Sequence, residues 1–140
     1  MKKVYTCFCT DVIHEGHLNI LKRAGEYGEV YVGVLSDAAM VGFNRFPTIP
    51  IEQRMEIVRQ TGLAKEVLLQ QEIMYDQVIE KLRPDYVVHG DNWSNGPEKV
   101  IRENVINNLE KFGGELVEIP YTYNENVKRI DDQMKEKLAM

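Results

Sequence analysis

An α/β fold, a single domain with a five-stranded parallel sheet and helices on both faces, is predicted by two observations. Short apolar, β-prone runs alternate with stretches of helical period along the whole chain. At 140 residues the chain also suits one unit large enough to bury a core, so 1–140 is read as a single domain.

The elements follow in order. Residues 3–9 form the first apolar run, and residues 16–27 place Leu18, Ile20, Leu21 and Ala24 at near-helical spacing before Gly25 and Gly28 end the helix. Residues 30–35 are continuous and β-branched, as in a strand covered on both faces. Residues 37–49 read as a loop, and Pro50 suits the first position of a helix carrying Glu52, Arg54, Met55, Ile57 and Val58. A third strand spans 65–70. A helix over 75–82 is stopped by Arg83-Pro84 before a fourth strand over 85–89. Residues 90–97 read as a polar loop opening a helix over 97–112, with Val100, Ile101, Val105, Ile106 and Leu109 as its buried stripe. Gly113-Gly114 ends it, residues 115–119 give a fifth strand, and the chain from Pro120 is irregular, then helical from about Val127. Right-handed crossovers arrange these strands in a Rossmann-like order, 3-2-1-4-5. The ligand crevice then lies beyond the carboxyl ends of the strands, beside the first.

Composition narrows the partners. A formal net charge of -5 argues against nucleic acid and anionic membranes, which need a basic face. Cys7 and Cys9 are expected to face opposite sides of the sheet and to stay unpaired. With no apolar run long enough to span a bilayer and no signal segment at its start, the chain is expected to be cytoplasmic.

The residues richest in chemistry are His14-Glu15-Gly16-His17, where the first strand hands over to the first helix. Two histidines three apart lie on one side of a first turn whose backbone N–H groups favour an anion, and Gly16 lets a ligand approach the backbone. Each imidazole can donate to phosphate oxygen, and can carry a positive charge near neutral pH when an anion favours it. Three readings stay open from these residues alone: a phosphate site, a metal site formed by Asp11, His14 and His17, or surface histidines on a helix with no ligand.

Residues 10–21, containing His14-Glu15-Gly16-His17, followed by Val87-Val88-His89-Gly90-Asp91-Asn92-Trp93, resemble the cytidylyltransferase family in motif order and separation. Residues 113–122 make the chain similar to the phosphonate cytidylyltransferases that accompany phosphoenolpyruvate phosphomutase, and the glycerol-3-phosphate and choline-phosphate enzymes are further relatives. The likeness covers about residues 1–122. It implies transfer of CMP from CTP, with Mg²⁺, to a small phosphate or phosphonate acceptor, and a homodimer formed near residues 61–67. His14, His17 and Arg45 would be catalytic. Cys9, Thr10, Gly16, Gly90, Asp91, Asn124 and Arg129 would bind the nucleotide, and Asp11, Arg54 and Trp93 the acceptor; no protein metal ligand is implied.

Two departures mark the chain. Relatives carry a lysine in the loop after the second strand, where this sequence has Asn44-Arg45. They also carry a hydroxyl-rich phosphate segment where this sequence has residues 123–129, Tyr-Asn-Glu-Asn-Val-Lys-Arg. A related enzyme using another nucleotide such as ATP, and a nucleotide-binding module without turnover, are therefore the alternatives.

Overall fold

The computed structural model describes residues 1–9, 13–42, 45–94 and 96–120. Five strands, β1 (Lys3–Phe8), β2 (Glu29–Leu35), β3 (Glu66–Gln70), β4 (Tyr86–Gly90) and β5 (Glu115–Ile119), form one sheet in the order β3-β2-β1-β4-β5. All four pairings are parallel, in register from Val4↔Val30 and Tyr31↔Glu66 to Val4↔Tyr86 and Tyr86↔Glu115. The expected topology is the one observed.

Among the described residues, five helices surround the sheet: α1 (Glu15–Gly25), α2 (Asp37–Gly42), α3 (Ile51–Gln60), α4 (Asp76–Leu82) and α5 (Lys99–Phe112). Strand alternation sorts the core into two layers. Val4, Phe8, Val32, Val34 and Val88 face Ile20, Leu21 and Ala24 of α1 and Val58 of α3. Tyr5, Tyr31 and Val87 face the other way, against Ile79 of α4 and Ile101, Val105 and Leu109 of α5. The change of face falls between β3 and β4, so the carboxyl ends of β1 and β4 diverge around a crevice.

Several local expectations are corrected. The segment after β2 is not all loop, because Asp37–Gly42 forms the short helix α2, anchored by the Met40 N–H donating to Ser36 O at 2.9 Å. The segment after β4 contains two 3-10 turns, Asp91–Trp93 and Gly96–Glu98. Pro50 precedes the first residue of α3 rather than occupying it. Val100, placed on the buried stripe of its helix by spacing, is 57% exposed.

One close approach shapes the α4/α5 side. The Tyr5 hydroxyl crosses β2 to donate to Gln70 Oε1 at 2.6 Å, and a Cβ on Gly33 would lie 1.8 Å from the Tyr5 hydroxyl oxygen. Only glycine lets the two strands be joined across the one between them.

Candidate functional site

His14 is the residue before α1, with extended backbone (φ -129°, ψ -175°). Its Nδ1 accepts the Gly16 N–H at 3.0 Å, while its own backbone N–H donates to His17 Nδ1 at 3.2 Å. This is a capping box in which both side chains are imidazoles rather than Ser and Glu. The consequence is a fixed tautomer. Since each Nδ1 receives an N–H, the proton of each neutral ring sits on Nε2.

The rings lie 4.3 Å apart, and His17 also meets the edge of Phe8 at 4.7 Å. Burial, and to a lesser degree His14, push the His17 pKa down to about 3. His17 is thus a neutral donor in this structure, because its ring is buried and its Nδ1 is engaged by backbone. Gly16 is buried, and its N–H serves the cap.

On the other face of β1, Cys7 and Cys9 line a pocket together with Leu35, Gln70, Ile73, Tyr75, His89, Trp93, Glu98 and Ile101. Both cysteines are thiols, but their expected placement on opposite faces is overturned: residues two apart on a strand share a face. Burial pushes the Cys7 thiol up, so it stays protonated at neutral pH. Tyr75 is fixed by Asn104, whose Oδ1 accepts the Tyr75 N–H at 2.9 Å, and the amides of Asn104 and Asn108 grip Asp76 at 2.9 and 3.1 Å.

Gly90 ends β4 and Asp91 is exposed just beyond it. Trp93 is 1% exposed and stacks face to face on His89, centroids 3.5 Å apart, while its Nε1–H donates to Glu118 at 3.0 Å. Glu118 is in turn gripped by Arg102, at distances down to 2.7 Å, which is the main cause of its lowered pKa. Trp93 is therefore chiefly the wall that holds His89.

The His89 ring sits on the Gly90 carbonyl, with Nδ1 2.7 Å from that oxygen. A carbonyl only accepts, so Nδ1 carries the proton and Nε2 the lone pair. Burial lowers the His89 pKa to about 4, and the ring is neutral at neutral pH.

Arg45 lies in the segment after α2 and pairs with Glu98 at 3.6 Å, joining that segment to the turn before α5. Arg54 departs from the acceptor-facing place the resemblance implies. It is 2% exposed and donates to Leu35 O at 2.8 Å, Ile49 O at 3.1 Å and the Asp37 carboxylate, so it fastens α2 and the following segment to the end of β2. Thr10, Asp11, Asn124 and Arg129 lie outside the described residues.

The structure thus gathers His14, Gly16 and His17 at one edge of the crevice and Cys9 and Trp93 at the other, with Arg45 tied to the pocket rim. Sequence reasoning missed His89, Tyr75 and Glu98. His89 had a signal, since it directly precedes Gly90-Asp91 at the carboxyl end of a central strand; Tyr75 and Glu98, placed by turns, had none.

A parallel sheet that changes direction beside its first strand, with imidazoles at that point, defines the class: a Rossmann-like α/β domain. The sequence profile of the cytidylyltransferase-like family matches residues 5–131, and the chain belongs to that family. It is 28% identical over 140 residues to the bifunctional protein HldE of Pseudomonas aeruginosa (strain UCBPP-PA14), covering 97% of this chain and 28% of that one. It is 30% identical over 96 residues to ethanolamine-phosphate cytidylyltransferase of Arabidopsis thaliana, covering 64% of this chain and 23% of that one. The chain thus spans about a quarter of the length of these curated relatives. Among solved structures, the lipopolysaccharide core biosynthesis protein of Thermoplasma volcanium GSS1 shares the fold, with TM-score 0.74 and 20% identity over 88% of this chain and 99% of that one. No described helix is long and apolar enough to cross a membrane.

Proposed function

We propose that the chain transfers a cytidylyl group from CTP to a small phosphate or phosphonate acceptor and releases pyrophosphate. The observation that carries this reading is the pair of neutral Nε2–H donors fixed at the N-terminus of α1. An acceptor oxygen attacks the α-phosphorus in line, the bond from that phosphorus to the bridging oxygen breaks, and pyrophosphate leaves with the electron pair. No protein nucleophile takes part, so catalysis is positioning and charge stabilisation. His14 and His17 donate to the α-phosphate oxygens, bonds that strengthen as negative charge collects there, and the dipole of α1 adds to them.

Arg45 turns from Glu98 to the pyrophosphate end, where Asn124 and Arg129 also act. Gly90 and Asp91, with Thr10, are assigned to the nucleotide and Asp11 to the acceptor, whose tail the thiol-lined pocket receives. Mg²⁺ bound to the triphosphate would neutralise part of its charge. A homodimer is part of the reading, its contact drawn at the open edge strand β3, where Leu69 is 45% exposed.

The competing reading is a nucleotide-binding module without turnover, favoured by the pairing of Arg45 with Glu98. Calorimetry with CTP and with ATP, followed by pyrophosphate release assays over a panel of phosphate and phosphonate acceptors, separates these readings. CTP binding with release supports transfer; binding without release for every acceptor supports the module; release with ATP alone replaces the nucleotide.

A further inference from the structure

We propose that Glu118 and Arg102 are positioning residues for the pocket on the α4/α5 side: they hold the Trp93 indole against His89 and so set how tightly an acceptor's tail is bound. The word acceptor rests on the transfer reading, but the positioning does not. Trp93 and His89 line the pocket, whereas Glu118 and Arg102 are not among its described lining residues.

Trp93 needs such a hold because its own backbone supplies little. It ends a 3-10 turn of three residues, Asp91–Trp93, that has no side-chain cap hydrogen bond. A turn this short does not support itself, so the place of its indole is set by what the indole touches. One face stacks on His89 with the ring planes 2° apart, and Nε1–H donates to Glu118 Oε2 at 3.0 Å. The stack alone would let the ring slide in its own plane. The hydrogen bond removes that freedom, because Nε1–H is the only donor of the indole.

The sheet places Glu118 for this task. It is the register partner of His89 on the neighbouring strand β5, so the two side chains leave the same face side by side. A carboxylate beside an imidazole ordinarily pairs with it, but here Trp93 and Arg102 take its oxygens. Arg102 donates from Nε at 3.2 and 3.1 Å and from Nη2 at 2.7 Å, which fixes the carboxylate with Oε2 turned to the indole. For stability the ion pair counts for little, since its side chains are 32% and 25% exposed. Its consequence is geometric. The cavity is about 40 Å³ and leaves little slack, so an indole that slips along His89 changes what fits.

The chain has one tryptophan, so its fluorescence reports on this ring alone. Acrylamide quenching of the full chain is expected to rise about threefold or more in Glu118→Leu and to return most of the way in Glu118→Gln, which keeps an acceptor oxygen for Nε1–H. Arg102→Met should fall between the natural chain and Glu118→Leu. In assays with CTP and either 2-hydroxyethylphosphonate or glycerol 3-phosphate, Glu118→Leu should raise the acceptor's KM about tenfold, with kcat changed less than about twofold. Calorimetric CTP binding and melting curves of all three variants should stay close to those of the natural chain. Quenching unchanged in both Glu118→Leu and Arg102→Met, or a loss of kcat and of CTP binding at unchanged acceptor KM, overturns the proposal. Quenching that rises and is rescued by Glu118→Gln, in a chain that releases no pyrophosphate with any acceptor, supports the positioning role while overturning the transfer reading.

Discussion

At the start of α1, two imidazoles receive backbone N–H groups at Nδ1 and carry their protons on Nε2; at the end of β4, a third imidazole gives its Nδ1 proton to a carbonyl and keeps a lone pair on Nε2. The two regions sit on opposite sides of β1, with Phe8 against His17 on one face and Cys7 and Cys9 in the pocket on the other. One residue type thus makes a hydrogen-bond donor site and a hydrogen-bond acceptor site. The difference lies in the backbone group beside each ring. Helix starts present unpaired N–H groups, and the end of a strand can present a carbonyl.

The largest expected effect breaks the donor side. His14→Ala or His17→Ala should lower the rate of pyrophosphate release about 10²- to 10³-fold, the usual consequence of losing one preorganised donor. Either should also lower stability by about 1 kcal/mol through loss of the cap. Steady-state kinetics and denaturant unfolding measure the two separately; an unchanged rate in both variants would remove the histidines from the chemistry.

A smaller effect tests the floor of the acceptor side. Gly33→Ala puts a Cβ 1.8 Å from the Tyr5 hydroxyl oxygen and 2.7 Å from the ring carbon bearing it. Overpacking of this kind costs about 1–3 kcal/mol, read in urea unfolding. Adding Tyr5→Phe should recover part of the loss, because the hydroxyl goes but the ring stays. A double variant no more stable than Gly33→Ala alone would show that the contact is not where the strain arises.

The smallest effect is on pH dependence. His17 titrates near 3 in the folded chain and near 6.5 when unfolded, so the unfolded state binds more protons between these values. Its contribution to stability is fully present above about pH 6.5 and is lost as pH falls toward 3, and His89, lowered to about 4, acts in the same direction. His17→Gln keeps an acceptor for the His14 N–H but cannot titrate. Its melting temperature should fall less steeply than that of the natural chain from pH 6.5 to 4. Parallel slopes would contradict a neutral, engaged His17.

Much of the frame was legible because it rests on periodicity. The run Val30–Leu35 alternates valines with Tyr31, Gly33 and Leu35 and carries no charge, and a strand covered on both faces is what it forms. The donor pair was legible too, since His14 and His17 fall where a strand becomes a helix. Other features depended on geometry that spacing does not encode. Arg54 was read as a ligand group, yet it shares the buried stripe of α3 with Ile51, Met55 and Val58 and fills it with a guanidinium bonded to nearby carbonyls. The sense of the His89 ring was not legible at all, because it depends on where the Gly90 carbonyl points.

The backbone, and not a neighbouring side chain, decides which nitrogen of each histidine carries the proton. Substitutions around either ring can strengthen or weaken its bond to a ligand, but they leave its polarity unchanged while the cap of α1 and the end of β4 keep their shape. The sign of each half of the crevice is therefore inherited with the fold, and descendants of this chain can drift in substrate preference without exchanging the roles of the two sides.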